Sequence, residues 1–184
     1  MKIINLNEKE KGYLFGLLAG DGYLYKDRWR HYKTNIFLNP NKDLDIAIFT
    51  ESLLNKIGIH PYFMYNRGCL ILRFNSKHFF QYISSRIGRL NHKNDKNFFL
   101  GFISGLVDSD GYVTKGEIVI SNKNKNFIDI TEKFCKKMGV KTRIWNQNSN
   151  FKGKVSSIWR IRISTSFKYE KHYSQKINRI YAGK

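Results

Sequence analysis

Two aspartates, Asp21 and Asp110, each end an apolar, glycine-punctuated run and are each followed by glycine, tyrosine and an aliphatic residue. The run Leu14-Phe15-Gly16-Leu17-Leu18-Ala19-Gly20-Asp21-Gly22 returns 89 positions later as Ile103-Ser104-Gly105-Leu106-Val107-Asp108-Ser109-Asp110-Gly111, and Lys26 and Lys115 recur in the same register. A carboxylate at a helix C-terminus faces orphan carbonyls and the negative pole of the helix dipole, a poor place for an anion. Two such carboxylates brought together also repel each other. A divalent cation relieves both problems, and hard oxygen donors suit magnesium or calcium. One Asp-Gly is an ordinary helix stop with glycine as its cap. Duplication in register is what favours a metal site.

The acids must be carried by helices that can meet. Gly12, Gly16 and Gly20 form one i, i+4 ridge, and Gly101, Gly105 and Ser109 form the same ridge in the second copy. Each mid-helix glycine costs roughly 1 kcal/mol against alanine, so the pattern makes sense if the two helices pack face to face on their small residues. Side by side and parallel, they bring Asp21 and Asp110 together at one end. A membrane role is set aside, because these runs are about half the roughly 20 apolar residues a span requires.

Other metal motifs fail. Asp108, Asp110, Gly111 and Glu117 fit four positions of an EF-hand loop, but Leu106 would occupy the first ligand position. In the first copy Leu17, Ala19 and Arg28 break the pattern further. The five histidines are scattered, and Cys69 and Cys135 stand singly, so neither a zinc ligand set nor a disulfide framework is suggested and a reducing, intracellular setting is expected.

Composition points to the partner. With 33 Lys+Arg against 14 Asp+Glu, the formal charge is +19, spread through both halves. Such a field favours a polyanion, and neutralising six to ten phosphates makes binding fall by about 10³ to 10⁵ between 50 and 200 mM salt. A ribosomal-type or merely solubilising surface would explain the charge but not the duplicated acids. The segment Met1–Lys11 is polar and lacks a signal-peptide core. The 184 residues divide best at the polar stretch around Asn91 to Asn97, giving an N-terminal half over 1–91, a linker over 92–97 and a C-terminal half over 98–184.

Each half repeats one order of signals. A strand pair follows the motif helix, from Gly22 through Tyr32 to Leu38 and from Gly111 to Ser121. Apolar residues at helical spacing then run to Gly58 and Gly139, both expected as caps. A second strand pair spans Ile59–Asn66 with Cys69–Asn75, and Lys141–Asn146 with Ser157–Ser164; a last helix covers about Lys77–Leu90 and Phe167–Tyr181. Arg160, Arg162 and Ser164 alternate with Trp159, Ile161 and Ile163, as Ile71, Arg73 and Asn75 do with Leu70, Leu72 and Phe74. A basic antiparallel ribbon of this kind can lie in the DNA major groove. Lys26, Arg28, Arg30, Lys33, Arg73, Asn75, Lys115, Lys141, Arg143, Arg160 and Arg162 are the candidates for DNA contact.

Over nearly its whole length the chain resembles single-chain LAGLIDADG homing endonucleases, which carry two motifs. The match rests on Gly16 and Gly105 at the third motif position, the aliphatic residues that follow, and the terminal Asp-Gly of both copies. The resemblance implies an α+β fold of two αββαββα halves related by a pseudo-twofold, with motif helices at the interface and two four-stranded antiparallel sheets forming a DNA-binding saddle. It implies metal-dependent double-strand cleavage of a long asymmetric target by a monomer, with Asp21 and Asp110 holding metal and the carbonyls of Gly20 and Ser109 adding ligands. Magnesium is the expected ion, with manganese able to substitute and calcium binding without supporting cleavage. Aligned candidates around the metals are Asn39 and Asn122, Arg73 and Arg162, where the family more often carries glutamine and lysine. Asp108, at the sixth motif position, is expected to pack the helices and not to bind metal. Relatives that bind intron RNA as maturases, and others that bind DNA without cutting, are the alternative functions. Lys, Asn and Ile richness points to an AT-rich archaeal, bacterial or organellar genome.

Overall fold

The structure is a computed structural model, and it describes residues 5–87, 90, 95–151, 154–164, 166–167 and 173–181. The first half comprises α1 (Glu8–Asp21), β1 (Gly22–Lys26), β2 (Tyr32–Leu38), α2 (Leu44–Lys56), β3 (Tyr62–Asn66), β4 (Cys69–Asn75) and α3 (Lys77–Ile87). The second comprises α4 (Lys96–Asp110), β5 (Gly111–Val113), β6 (Glu117–Asn122), α5 (Lys125–Lys137), β7 (Thr142–Phe151), β8 (Lys154–Ser164) and α6 (Gln175–Tyr181). This is a duplicated α+β fold, with two four-stranded antiparallel sheets ordered β1-β2-β4-β3 and β5-β6-β8-β7.

Local chemistry accounts for the helix boundaries. Asn7 and Glu10 form a reciprocal capping box at the start of α1, and Asp95 caps α4 by accepting from the Asn97 amide. Gly58 and Gly139 end α2 and α5 in the left-handed region, at φ +72° and +71°. The core lies between the inner sheet faces and the helices, where Ile36, Leu72 and Phe74 of one sheet and Ile118, Ile120, Ile161 and Ile163 of the other are buried.

α1 and α4 pack at backbone contact. A methyl group added at Gly12 would overlap the Phe98 carbonyl, one at Gly16 the Phe102 carbonyl, and ones at Gly101 and Gly105 the carbonyls of Lys9 and Tyr13. Gly20 lies against Ser109 in the same way. The contacts advance together along both helices, so the helices are parallel and their aspartates end side by side.

Three boundaries differ from the sequence expectation. Lys96 and Asn97 are helical and open α4, while residues 91–94 of the expected linker lie outside the described residues. The second hairpin of the C-terminal half is longer than expected, with β7 reaching Phe151 and β8 starting at Lys154. α6 begins only at Gln175; Ser166 and Phe167 form a short 3-10 turn, and 168–172 lie outside the described residues, as do Gly88 and Arg89 at the expected end of α3.

Candidate metal centre and nucleic-acid interface

Asp21 and Asp110 are the last residues of α1 and α4. The fit at Gly20 brings them together: a methyl there would stand 2.9 Å from Asp110 Oδ2. Both carboxyls are held above the ordinary range of about 4. For Asp21, burial is the larger cause and the Asp110 charge the second; Lys176 pulls back and Asp43 adds to the rise, and the carboxyl is pushed up to about 7. For Asp110, burial raises the carboxyl, while a hydrogen bond from Asn122 and the charge of Lys176 pull it down. Two adjoining acids that resist ionisation together are suited to a cation that neutralises both.

Asn122 is where the site is asymmetric. Its amide donates to Asp110 Oδ2 at 2.6 Å and to the Ala19 carbonyl at 3.4 Å, and its oxygen accepts from the Asn124 amide. Asn39 does not occupy the matching place. Gly22 pairs with Ile36 as Gly111 pairs with Ile120, so the residue equivalent to Asn122 is Leu38, which is buried in the core. Asn39 stands one residue further on, in a turn, where its oxygen accepts from the Asn41 and Lys42 amides. The one-residue slip removes it from the acid it was expected to serve.

The arginine pair is equivalent in register but engaged elsewhere. Arg73 donates from Nε to Asn35 Oδ1 at 2.8 Å, and Arg162 pairs from Nε with Glu117 Oε2 at 2.8 Å, both on outer sheet faces. The cation that acts on both aspartates is Lys176, which sequence reading missed because it is one of 33 basic residues and lies outside the repeat. Its Nζ donates to the carbonyls of Ser109 (3.2 Å) and Gly111 (3.1 Å), so one of the two expected carbonyl ligands, Ser109, already has a partner and retains a single lone pair for an ion.

Asp108 explains how Lys176 arrives there. Fully buried, it accepts from Tyr13 Oη (2.8 Å), Ser174 Oγ (2.7 Å), and the amides of Gln175 (2.9 Å) and Lys176 (3.0 Å). Burial pushes its carboxyl up, against these four donors. Asp108 therefore ties α6 to both motif helices, as its packing role required. On the far side of α6, Arg179 grips Asp45 of α2, so the last helix bridges the halves.

Beside Asp110 opens a cleft lined by Ala19, Gly20, Ser121, Asn122 and Lys123. Among the described residues no group of three or more His, Cys, Asp and Glu side chains comes together, so a bound ion would rest on the two aspartates, main-chain oxygens and oxygens from outside the chain. Asp21 and Asp110, side by side at the helix ends, fit that role.

Strand register fixes which basic residues share a surface. Lys33 faces Asn75, and Asn35 faces Arg73, on the outer side of the first sheet; Arg143 faces Arg162, with Arg160 two residues away, on the outer side of the second. Lys26 pairs with Tyr32 on the opposite parity, its ammonium over the Tyr32 ring. Lys115 sits in the β5–β6 loop, and Lys141 just before β7. Arg28 and Arg30 occupy the β1–β2 turn, which Asp27 organises by accepting from the amides of Trp29 and His31.

Two αββαββα halves joined through glycine-ridged helices that end in paired acids are the architecture of single-chain, two-motif LAGLIDADG proteins, and the chain has that fold. Residues 97–176 match the LAGLIDADG-like domain family. Among characterised proteins, the homing endonuclease I-DmoI of Desulfurococcus mucosus is 27% identical over 149 residues, covering 75% of this chain and 76% of that one. The uncharacterized protein MJ0314 of Methanocaldococcus jannaschii is 30% identical over 172 residues, 81% of this chain and 62% of its own length. The solved structure of I-DmoI in complex with DNA and calcium superposes with a TM-score of 0.72 at 21% identity, covering 88% of both chains. No helix among the described residues is long and apolar enough to cross a membrane.

Proposed function

We propose that this protein is a divalent-metal-dependent endonuclease that cuts both strands of duplex DNA at a long, asymmetric site, acting as an intracellular monomer. The observation that carries the proposal is the meeting of Asp21 and Asp110 at the ends of two helices in backbone contact, between two sheets whose outer faces carry Lys33, Arg73, Arg143, Arg160 and Arg162. The relationship to I-DmoI, whose structures hold DNA with manganese or with calcium, supports the same reading.

Magnesium held there would supply a water of lowered pKa and charge stabilisation for the departing 3′-oxygen. The chain's own groups do the rest. Asp21 and Asp110 would provide the anionic oxygens that hold the ion, each serving mainly one strand. Asn122 holds Asp110 in one orientation and favours its ionised form. Lys176 places a fixed positive charge beside both acids, where it offsets their repulsion before the nucleic acid arrives and stabilises added phosphate charge afterwards. Outer-face arginines and lysines bind backbone and base edges and set the register of the cut.

Selection of cleaved duplexes from a randomised pool, in magnesium and in EDTA, tests the proposal. Magnesium-dependent cutting at one long site is expected. Tight, salt-sensitive binding of duplex or of intron RNA without cutting in magnesium or manganese would instead make the protein a non-cleaving binder or a maturase.

A further inference from the structure

The outer faces of the two sheets are built on one register yet carry different chemistry. Arg73 and Arg162 occupy equivalent places, each paired with a middle-strand residue, Asn35 or Val119. Two residues nearer the acids, Phe37 pairs with Ile71 and Ile71 with Met64 across three strands of the first sheet. In the second sheet that row reads Ser121, Arg160 and Trp145. One sheet thus has an apolar row, Phe37 and Met64 flanking a buried Ile71, where its counterpart has a guanidinium between a hydroxyl and an indole.

The next row extends the contrast at one of its ends. In the first sheet the ends of the next row are Tyr23 and Tyr62, and Tyr25 stacks on Tyr23 at 6.1 Å. Phe37, Tyr62, Tyr23 and Tyr25 remain 38%, 49%, 53% and 43% exposed. In the second sheet the ends of that row are Tyr112, the 63% exposed counterpart of Tyr23, and Arg143, so the contrast lies in Tyr62 against Arg143. A patch of exposed aromatics with few polar atoms marks a contact surface, yet this one lies on a face that also carries Lys33 and Arg73, in a chain of charge +19. A polyanion with apolar points along its groove satisfies both features. In duplex DNA the apolar point of the major groove is the thymine C5-methyl; guanine instead offers the O6 and N7 acceptors that arginine reads.

We propose that the two sheets read their half-sites by different means: the N-terminal sheet through thymine methyl groups against Phe37, Met64 and Tyr62, the C-terminal sheet through guanine against Arg143 and Arg160. Asn35 and Asn75, in adjoining places on the first sheet, suit the adenines paired with those thymines. The inference rests on the reading that the sheets hold duplex DNA.

The test uses the selected target duplex and the full chain in calcium, with affinity measured by titration. Thymines are replaced by deoxyuridine, which lacks only the methyl, in one half-site at a time; separately, guanines are replaced by 7-deazaguanine. Each contacted methyl is worth about fourfold in affinity, from the transfer free energy of one buried carbon. Deoxyuridine should weaken binding in one half-site only, and 7-deazaguanine chiefly in the other. The double variant Phe37→Ala, Tyr62→Ala should lose the deoxyuridine effect and keep the 7-deazaguanine effect, which also identifies the half under the first sheet. Equal deoxyuridine effects in both halves, or an effect that survives the double variant, would overturn the inference while leaving the DNA-binding reading standing. Failure to bind any duplex more tightly than a random one would overturn both.

Discussion

Replacing Asp21 by asparagine removes a carboxyl that burial and the Asp110 charge hold at about 7, against an ordinary value of 3.8. In the metal-free protein the folded state therefore keeps a proton on Asp21 over a pH range where the unfolded chain has lost it. A carboxyl raised on folding favours the fold below its unfolded pKa, and that advantage is lost as pH rises through the folded value. The window runs from about 4 to about 7. Each pH unit inside it costs about 1.4 kcal/mol, so the loss between pH 5 and pH 8 comes to about 3 kcal/mol and flattens above 7. The asparagine side chain cannot ionise and escapes the loss. Urea denaturation of wild type and Asp21→Asn in EDTA, at pH 5, 6, 7 and 8, isolates the effect of the paired-acid site, because titrations elsewhere in the chain cancel in the difference. The variant should gain about 3 kcal/mol on wild type between pH 5 and pH 8, and the gain should disappear when saturating magnesium stabilises wild type above pH 7. A difference between the two proteins that stays constant with pH would refute the electrostatic reading of the site.

Four further outcomes follow from the geometry. Gly16→Ala places a methyl on the Phe102 carbonyl and should cost about 1–3 kcal/mol in urea denaturation despite its better helix propensity, whereas Gly116→Ala, with only the Thr114 hydroxyl at 4.0 Å, should be near neutral. Asn122→Leu removes the 2.6 Å donor to Asp110 that pulls its carboxyl down, so the Asp110 carboxyl, followed by carbon NMR, should titrate at higher pH than in wild type. Asp108→Ala leaves Tyr13, Ser174 and two amides of α6 without their acceptor and should cost about 3–5 kcal/mol in thermal or urea denaturation. Lys176→Met should lower the cleavage rate while leaving duplex affinity within about threefold, since its ammonium is one charge among many on the binding surface.

What the sequence disclosed follows from what repeats. Duplication exposed the element order of each half, and glycines at i, i+4 exposed the contact of α1 and α4, because no other arrangement makes use of so many missing side chains on two matched ridges. Asp21 and Asp110 were legible for the same reason. Asn39 was misplaced because two strands of equal pattern can differ by one residue in register, and the shift exchanges Leu38 in the core for a polar group at the acid. Lys176 was invisible because its place depends on a buried carboxylate, Asp108, catching the first turn of a helix more than 60 residues away in sequence. The contrast between the outer faces could be read only from cross-strand pairs, since Phe37, Ile71 and Met64 are neighbours in the sheet and not in the chain.

The paired-acid site is tested most directly by single-turnover cleavage of the selected duplex in magnesium, with each strand labelled separately, comparing wild type with Asp21→Asn and Asp110→Asn. Both variants should bind the duplex as wild type does and yield no double-strand product. Double-strand cutting retained by both single variants would contradict the assignment of Asp21 and Asp110 as the centre of the chemistry.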